Sequence, residues 1–238
     1  MSKTRIIPIF PLDLVLFPHQ ELPLQIFEPR YKQMIDDCML SDKEFGVCLI
    51  DSTKIIEGWQ APYSIGTIAK IIDCNDIDST SGNLLINTKG HRRFRIIQTI
   101  PPSLSKPNDY DPYSSQGKEK IDDLHYESGS SGKMYLQAQV ELIDDIDQTI
   151  TLKDWYNLVE SWKNKIIRMA SPQTVSSEQL DLMLEQYYLK TDTPTLEYVY
   201  SLCGLGSSTP NELQSILEAV TLDHTIECCL KVLDDSTI

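Results

Sequence analysis

The chain has 238 residues, 41% of them hydrophobic and 24% charged, an ordinary composition for a globular protein of one domain or two small ones. Its formal net charge of −14 argues against a protein that tracks nucleic-acid phosphates, which needs a basic surface. No run reaches the roughly 18 apolar residues of a membrane span, and the six cysteines form neither a CxxC pair nor a zinc-finger spacing with histidine. With no leader in residues 1–5, these features point to a reduced, cytoplasmic protein without metal or cofactor.

Residues 6–31 organise the chain. Ile6, Ile7, Ile9 and Phe10 read as a short buried strand bracketed by Pro8 and Pro11. The run 14–17 is apolar and ends at Pro18, and Leu22, Leu24 and Ile26 then alternate with Pro23 and Gln25 as in a half-buried strand. Prolines in these strands predict edges, bulges or barrel corners. Pro29 suits a first helical position, and Tyr31, Met34, Ile35, Cys38 and Met39 follow at helical spacing.

Residues 45–50 return to a strand, and 51–63 read as a loop with an isolated Trp59. The next strand is 65–72, where Gly66 allows a bulge or a close backbone approach. Polar residues 74–83 end in a turn signal, Ser81-Gly82-Asn83. Lys89-Gly90 reads as a turn between short 84–87 and a strand 91–97, with Arg92, Phe94 and Ile96 on one face and His91, Arg93 and Arg95 on the other.

Residues 101–133 are rich in Ser, Pro, Gly, Asp and Lys, and read as a flexible exposed insert that carries Tyr110, Tyr113 and Tyr126. A clean alternating strand, 134–143, returns to the β-domain. Asp144, Asp145 and Asp147 form an acidic hinge that lacks the glycine and terminal glutamate of a calcium loop. From Thr151 the period is helical. Capping signals stand at Thr151-x-x-Asp154, near Ser177, at Thr193-Pro194, and at Thr209-Pro210-Asn211-Glu212. The domains are therefore 1–147, β-rich, and 148–238, a helical bundle.

The motifs 8–12, 15–18, 22–24 and 26–31, then Phe45-Gly46-Val47, Gly66-Thr67-Ile68-Ala69, 90–96 and 213–230, resemble in order the N-terminal domain of the Lon (La) ATP-dependent proteases. The resemblance implies an α+β fold: a PUA-like pseudo-barrel with one early helix, then a helical bundle. It also implies binding of unfolded or degron-bearing protein segments, in concert with a protease or chaperone. No Walker A phosphate cradle, G-x-S-x-G elbow or H-E-x-x-H zinc pair is present, so the expectation is a binding module and not an enzyme. Phe17, Pro18, Leu22, Pro23 and Trp59 are the candidate exposed groove for a peptide. Phe27, Glu28, Pro29, Arg30, Tyr31, Gly66, Gly90, Arg92 and Phe94 read as structural, with Glu28 and Arg30 pinning the strand-to-helix corner. Two other readings stay open. One is an RNA-binding strip at Arg92, Arg93 and Arg95, set against a rim cluster paired with acids. The other is a peptidase.

Overall fold

The computed structural model describes residues 4–234 apart from 78–81, 128–130, 147–148, 171–175 and 207. The chain divides into two compact units, Met1–Asp144 and Asp145–Ile238.

The first unit is built on seven strands, β1 (Thr4–Leu12), β2 (Glu21–Ile26), β3 (Glu44–Ile56), β4 (Trp59–Pro62), β5 (Ile65–Asp76), β6 (Leu84–Ile100) and β7 (Gln137–Leu142), with helices α1 (Pro29–Met39) and α2 (Ser115–Glu127). Hydrogen bonding runs β1-β7-β6-β5-β3, and a parallel pairing of β1 with β3, Ile9 opposite Gly46, closes these five strands into a ring. Closure leaves those strands without a free edge. Strand β2 lies along the first half of β6, and β4 folds back on β3.

Alternation along β1 divides its side chains between two cores. Ile7 and Ile9 enter the ring with Cys48, Ile68, Phe94, Ala138 and Val140. Phe10 turns to the other side and joins Leu16, Ile26, Phe45 and the apolar stripe of α1, Tyr31, Met34, Ile35 and Cys38. Pro29 occupies the first turn of α1 as its fixed φ favours, and Met34, Ile35 and Cys38 are fully buried. Ile6, read as part of the buried strand, is exposed.

Four expectations are corrected. Residues 51–63 are not a loop: β3 continues to Ile56 and turns through Glu57 and Gly58 into β4. Both turn residues have positive φ, 49° and 80°, as a two-residue hairpin turn of the primed kind requires. Gly90 does not turn the chain. It lies within the unbroken 17-residue β6. The alternation read for 91–97 holds for Phe94 and Ile96, which enter the ring core, and for exposed His91 and Arg95, but breaks at Arg93, which is buried at the end of a β6 bulge where Thr67 faces Arg93 and Ala69 faces Gly90. The insert is not merely a floppy loop, for it contains α2 and a small core of its own, in which Ile121 packs with Trp59 and Met134. Of the 81–83 turn, Ser81 lies outside the described residues, as does Asp147 of the hinge.

The second unit holds α3 (Leu152–Met169), α4 (Ser177–Gln186), α5 (Leu196–Gly204), α6 (Pro210–Glu218) and α7 (Leu222–Asp234). Reciprocal capping boxes start α4 at Ser176 and α6 at Thr209, and Thr151 caps α3 by accepting from the Asp154 N–H at 3.1 Å. The buried stripe of α3 is Trp155, Leu158, Trp162 and Lys165, whereas Leu152 and Tyr156 are exposed. Helix α3 packs against α5 and α7. Lys165 Nζ donates to the Val232 carbonyl at 2.8 Å and Arg168 to that of Leu233 at 2.9 Å, so two cations of α3 meet the last carbonyls of α7.

Candidate functional site: an aromatic cleft beside the first helix

A cleft of about 380 Å³ opens on the first unit where the turn from β2 into α1 meets the β3–β4 hairpin. Its floor is apolar, with Phe10, Leu12, Leu24 and Ile26, and its walls include Phe27, Arg30, Trp59 and Tyr110. The sequence places these groups simply. Alternation along β1 and β2 brings the floor together, and Pro29 starts α1 so that Arg30 and Tyr31 lie in its first turn.

Arg30 is the hub of the cleft. Its guanidinium lies 3.8 Å from the centre of the Trp59 ring and 4.2 Å from that of Tyr31. Its Nε donates to Glu28 Oε2 at 2.9 Å. A planar cation between two aromatic faces, with a carboxylate in its plane, suits arginine and not lysine. Burial opposes the Arg30 charge, yet Tyr31 and Glu28 hold its pKa above the ordinary value. Burial pushes the Tyr31 hydroxyl up to about 12; Arg30 works against that shift and Glu28 adds to it. The hydroxyl of Tyr110 donates to the same Glu28 oxygen at 3.1 Å, and its pKa is raised, first by burial and then by the Glu28 charge.

The insert lies along one side of the cleft. The Trp59 indole Nε1 donates to the Leu104 carbonyl at 2.9 Å, and the rings of Trp59 and Tyr110 meet edge to face at 5.3 Å. Tyr113 stacks on Phe27 at 5.1 Å. Besides apolar surface, the cleft offers two cations, Arg30 and Lys106, the carboxylates of Asp13 and Glu28, and phenol hydroxyls.

The structure does not gather the five residues read as a groove. Phe17 is 1% exposed and Pro18 is buried, because the turn they form packs against Gly90 of β6; their exposure is corrected here. Leu22 is half-buried and Pro23 exposed on β2. Trp59 alone reaches the cleft, where it is 6% exposed beneath the insert. At the strand-to-helix corner Arg30 pairs with Glu28 at 2.9 Å, and Phe27, Glu28, Arg30 and Tyr31 line the cleft while Pro29 does not. Gly66 and Phe94 meet in the ring, where a Cβ on Gly66 would overlap the Val47 carbonyl. Arg92 pairs with Asp144 at 3.7 Å, Arg93 is buried and Arg95 exposed, so the three do not form one strip. Of the three tyrosines noted in the insert, Tyr110 and Tyr113 line the cleft; Gln60 and Lys106, also in its lining, carry no signal in the sequence. No group of three or more His, Cys, Asp or Glu residues is placed to hold a metal among the described residues.

The family model for the ATP-dependent protease La (LON) substrate-binding domain matches residues 6–235. The chain belongs to this family. Among solved structures, the N-terminal domain of the Mycobacterium avium complex Lon protease is 15% identical with a TM-score of 0.58, over 98% of this chain and 100% of that one. A Lon N-terminal domain protein from Xanthomonas campestris is 20% identical with a TM-score of 0.56, over 91% and 92%. These likenesses concern the fold, in which a sheet is followed by helices. Segment 26–31, one of the motifs that carry the resemblance, supplies Ile26, Phe27, Glu28, Arg30 and Tyr31 to the cleft. No helix among the described residues is long and apolar enough to cross a membrane.

Proposed function

We propose that this chain is a cytoplasmic recognition module that takes extended segments of unfolded or degron-bearing proteins into the cleft around Arg30 and Trp59. It makes and breaks no covalent bonds, and it acts as an adaptor for a separate protease or as a holdase of the chaperone kind. Membership of a substrate-binding domain family supports the reading. The observation that carries it is the cleft itself, about 380 Å³ with an apolar floor and hydrogen-bonding groups at its rim. Such a site suits an extended chain, whose side chains seek apolar surface while its backbone seeks donors and acceptors.

The test is binding of a permanently unfolded protein, fluorescently labelled reduced and carboxymethylated α-lactalbumin, followed by anisotropy. Gln60 is exposed at the rim and Leu24 is half-buried in the floor. Gln60→Trp, which plugs the cleft, and Leu24→Ala, which removes part of its apolar floor, should each weaken capture several-fold while the thermal transition stays in place. Full capture by both folded variants would rule out this cleft.

A further inference from the structure

Segment 104–113 of the insert lies against the cleft, and its attachments have a pattern. The Leu104 carbonyl accepts from Trp59 Nε1 at 2.9 Å. Two residues on, the Lys106 N–H donates to the Glu57 carbonyl at 2.8 Å. A carbonyl and an N–H at positions i and i+2 facing the same hairpin are what an extended strand presents along one edge. Past Lys106 the segment turns at 108–109, where Asp109 has a positive φ of 60°, and side chains on both sides of that turn add contacts. Ser105 donates to Glu57 Oε2 at 2.6 Å, Tyr110 donates to Glu28 and packs edge-on against Trp59, and Tyr113 stacks on Phe27.

The hold is nevertheless shallow. Ser105, Lys106, Asp109, Asp111 and Tyr113 are exposed, Tyr113 to 79%. Only Leu104 and Tyr110 of this segment pack against the small core of Trp59, Ile121 and Met134. A segment kept by a few partly exposed hydrogen bonds opens locally far more readily than the fold unfolds. Its two ends stay fixed. Ser103 donates to the Lys133 carbonyl at 2.8 Å, and Ile121 of α2 is buried.

We infer that segment 104–113 is a strap, which takes up contacts along one wall of the cleft that a client would use and must swing away before a client can seat. This rests on the binding function proposed above. The apparent affinity for a client is then the intrinsic affinity reduced by the fraction of molecules whose strap is open. Removing the two tyrosine anchors raises that fraction, and a gain of roughly tenfold in affinity is expected.

The experiment uses the full chain and the same unfolded α-lactalbumin. In the unaltered protein, amide hydrogen exchange at Lys106 is measured with and without client. In parallel, client affinity is compared between the unaltered protein and Tyr110→Ala/Tyr113→Ala. Faster Lys106 exchange on client binding, together with about tenfold tighter binding by the double variant, is the expected result. Client binding that slows or leaves unchanged the Lys106 exchange overturns the strap while the binding function stands. So does a folded double variant of equal or weaker affinity. No client binding by either protein overturns both.

Discussion

Gly90 and Phe17 touch backbone to backbone: a Cβ added to Gly90 would overlap the Phe17 carbonyl oxygen. The two flanking hydrogen bonds, His19 N–H to the Gly90 carbonyl and Gly90 N–H to the Gln20 carbonyl, are both 2.8 Å long and leave neither chain room to retreat. Gly90→Ala should therefore destabilise the first unit by roughly 1–3 kcal/mol, the usual cost of forcing atoms into a filled space. Urea denaturation followed by circular dichroism measures it. An unchanged midpoint would mean that the turn yields freely.

Trp59 is held from both sides, by Arg30 beneath and by the insert above. Trp59→Phe keeps an aromatic face for Arg30 and removes the donor to the Leu104 carbonyl. About 1 kcal/mol of stability should be lost, the net value of one hydrogen bond. Trp59→Ala also removes the ring shared with Tyr110, Ile121 and Met134, and should cost roughly 3–5 kcal/mol. Thermal or denaturant melts of the two variants give the comparison, and equal losses would remove Trp59 from the role of anchor for the insert.

Alkaline pH should loosen the same region. Burial lifts the folded pKa of Tyr31 from 10.0 to about 12, with Glu28 adding to the shift and Arg30 opposing it. A raised folded pKa means that the stabilisation is complete below the unfolded value, and is lost as pH climbs from about 10 through about 12. The loss is on the order of 2–3 kcal/mol once both states are ionised. Denaturation midpoints taken across this window should fall in the native chain and fall less in Tyr31→Phe. Parallel slopes would contradict the assignment.

In the second unit, Lys165 is a nearly buried cation that finds its partner in the Val232 carbonyl at the end of α7. Lys165→Met keeps most of the side-chain volume and leaves that carbonyl without its donor. A loss of roughly 1–3 kcal/mol is expected, the cost of an unsatisfied buried acceptor. Thr209→Ala, at the capping box of α6, should cost about 0.5–2 kcal/mol. Both are read from denaturant titration, and a Lys165→Met protein as stable as its parent would mean that the lysine had been a burden.

What sequence could reveal follows the range of each interaction. The caps at Thr151 and Thr209 were legible because an N-cap and the N–H it accepts from lie within four consecutive residues. Helix α1 was legible because Pro29 and a regular stripe agree. The β3–β4 hairpin was hidden because its turn places Glu57, not asparagine or aspartate, in the left-handed region. Gly90 was misread because a glycine that turns the chain and one that admits a neighbouring backbone look the same in a string of letters. The cleft was half legible. Residues 27–31 and Trp59 stood out, but their union depends on Leu104, Tyr110 and Met134, brought from far along the chain by a segment whose composition reads as loop.

The parallel β1–β3 pairing joins residues near in sequence, whereas the last gap in the ring is filled by β7, after the whole insert. A ribosome making this chain from its first residue exposes β1, β3, β5 and β6 well before the strand that lies between β1 and β6 has been synthesised. For that interval the nascent sheet carries two open edges, of the sort that recruit other strands. The insert thus also sets the delay before the newborn barrel can shut.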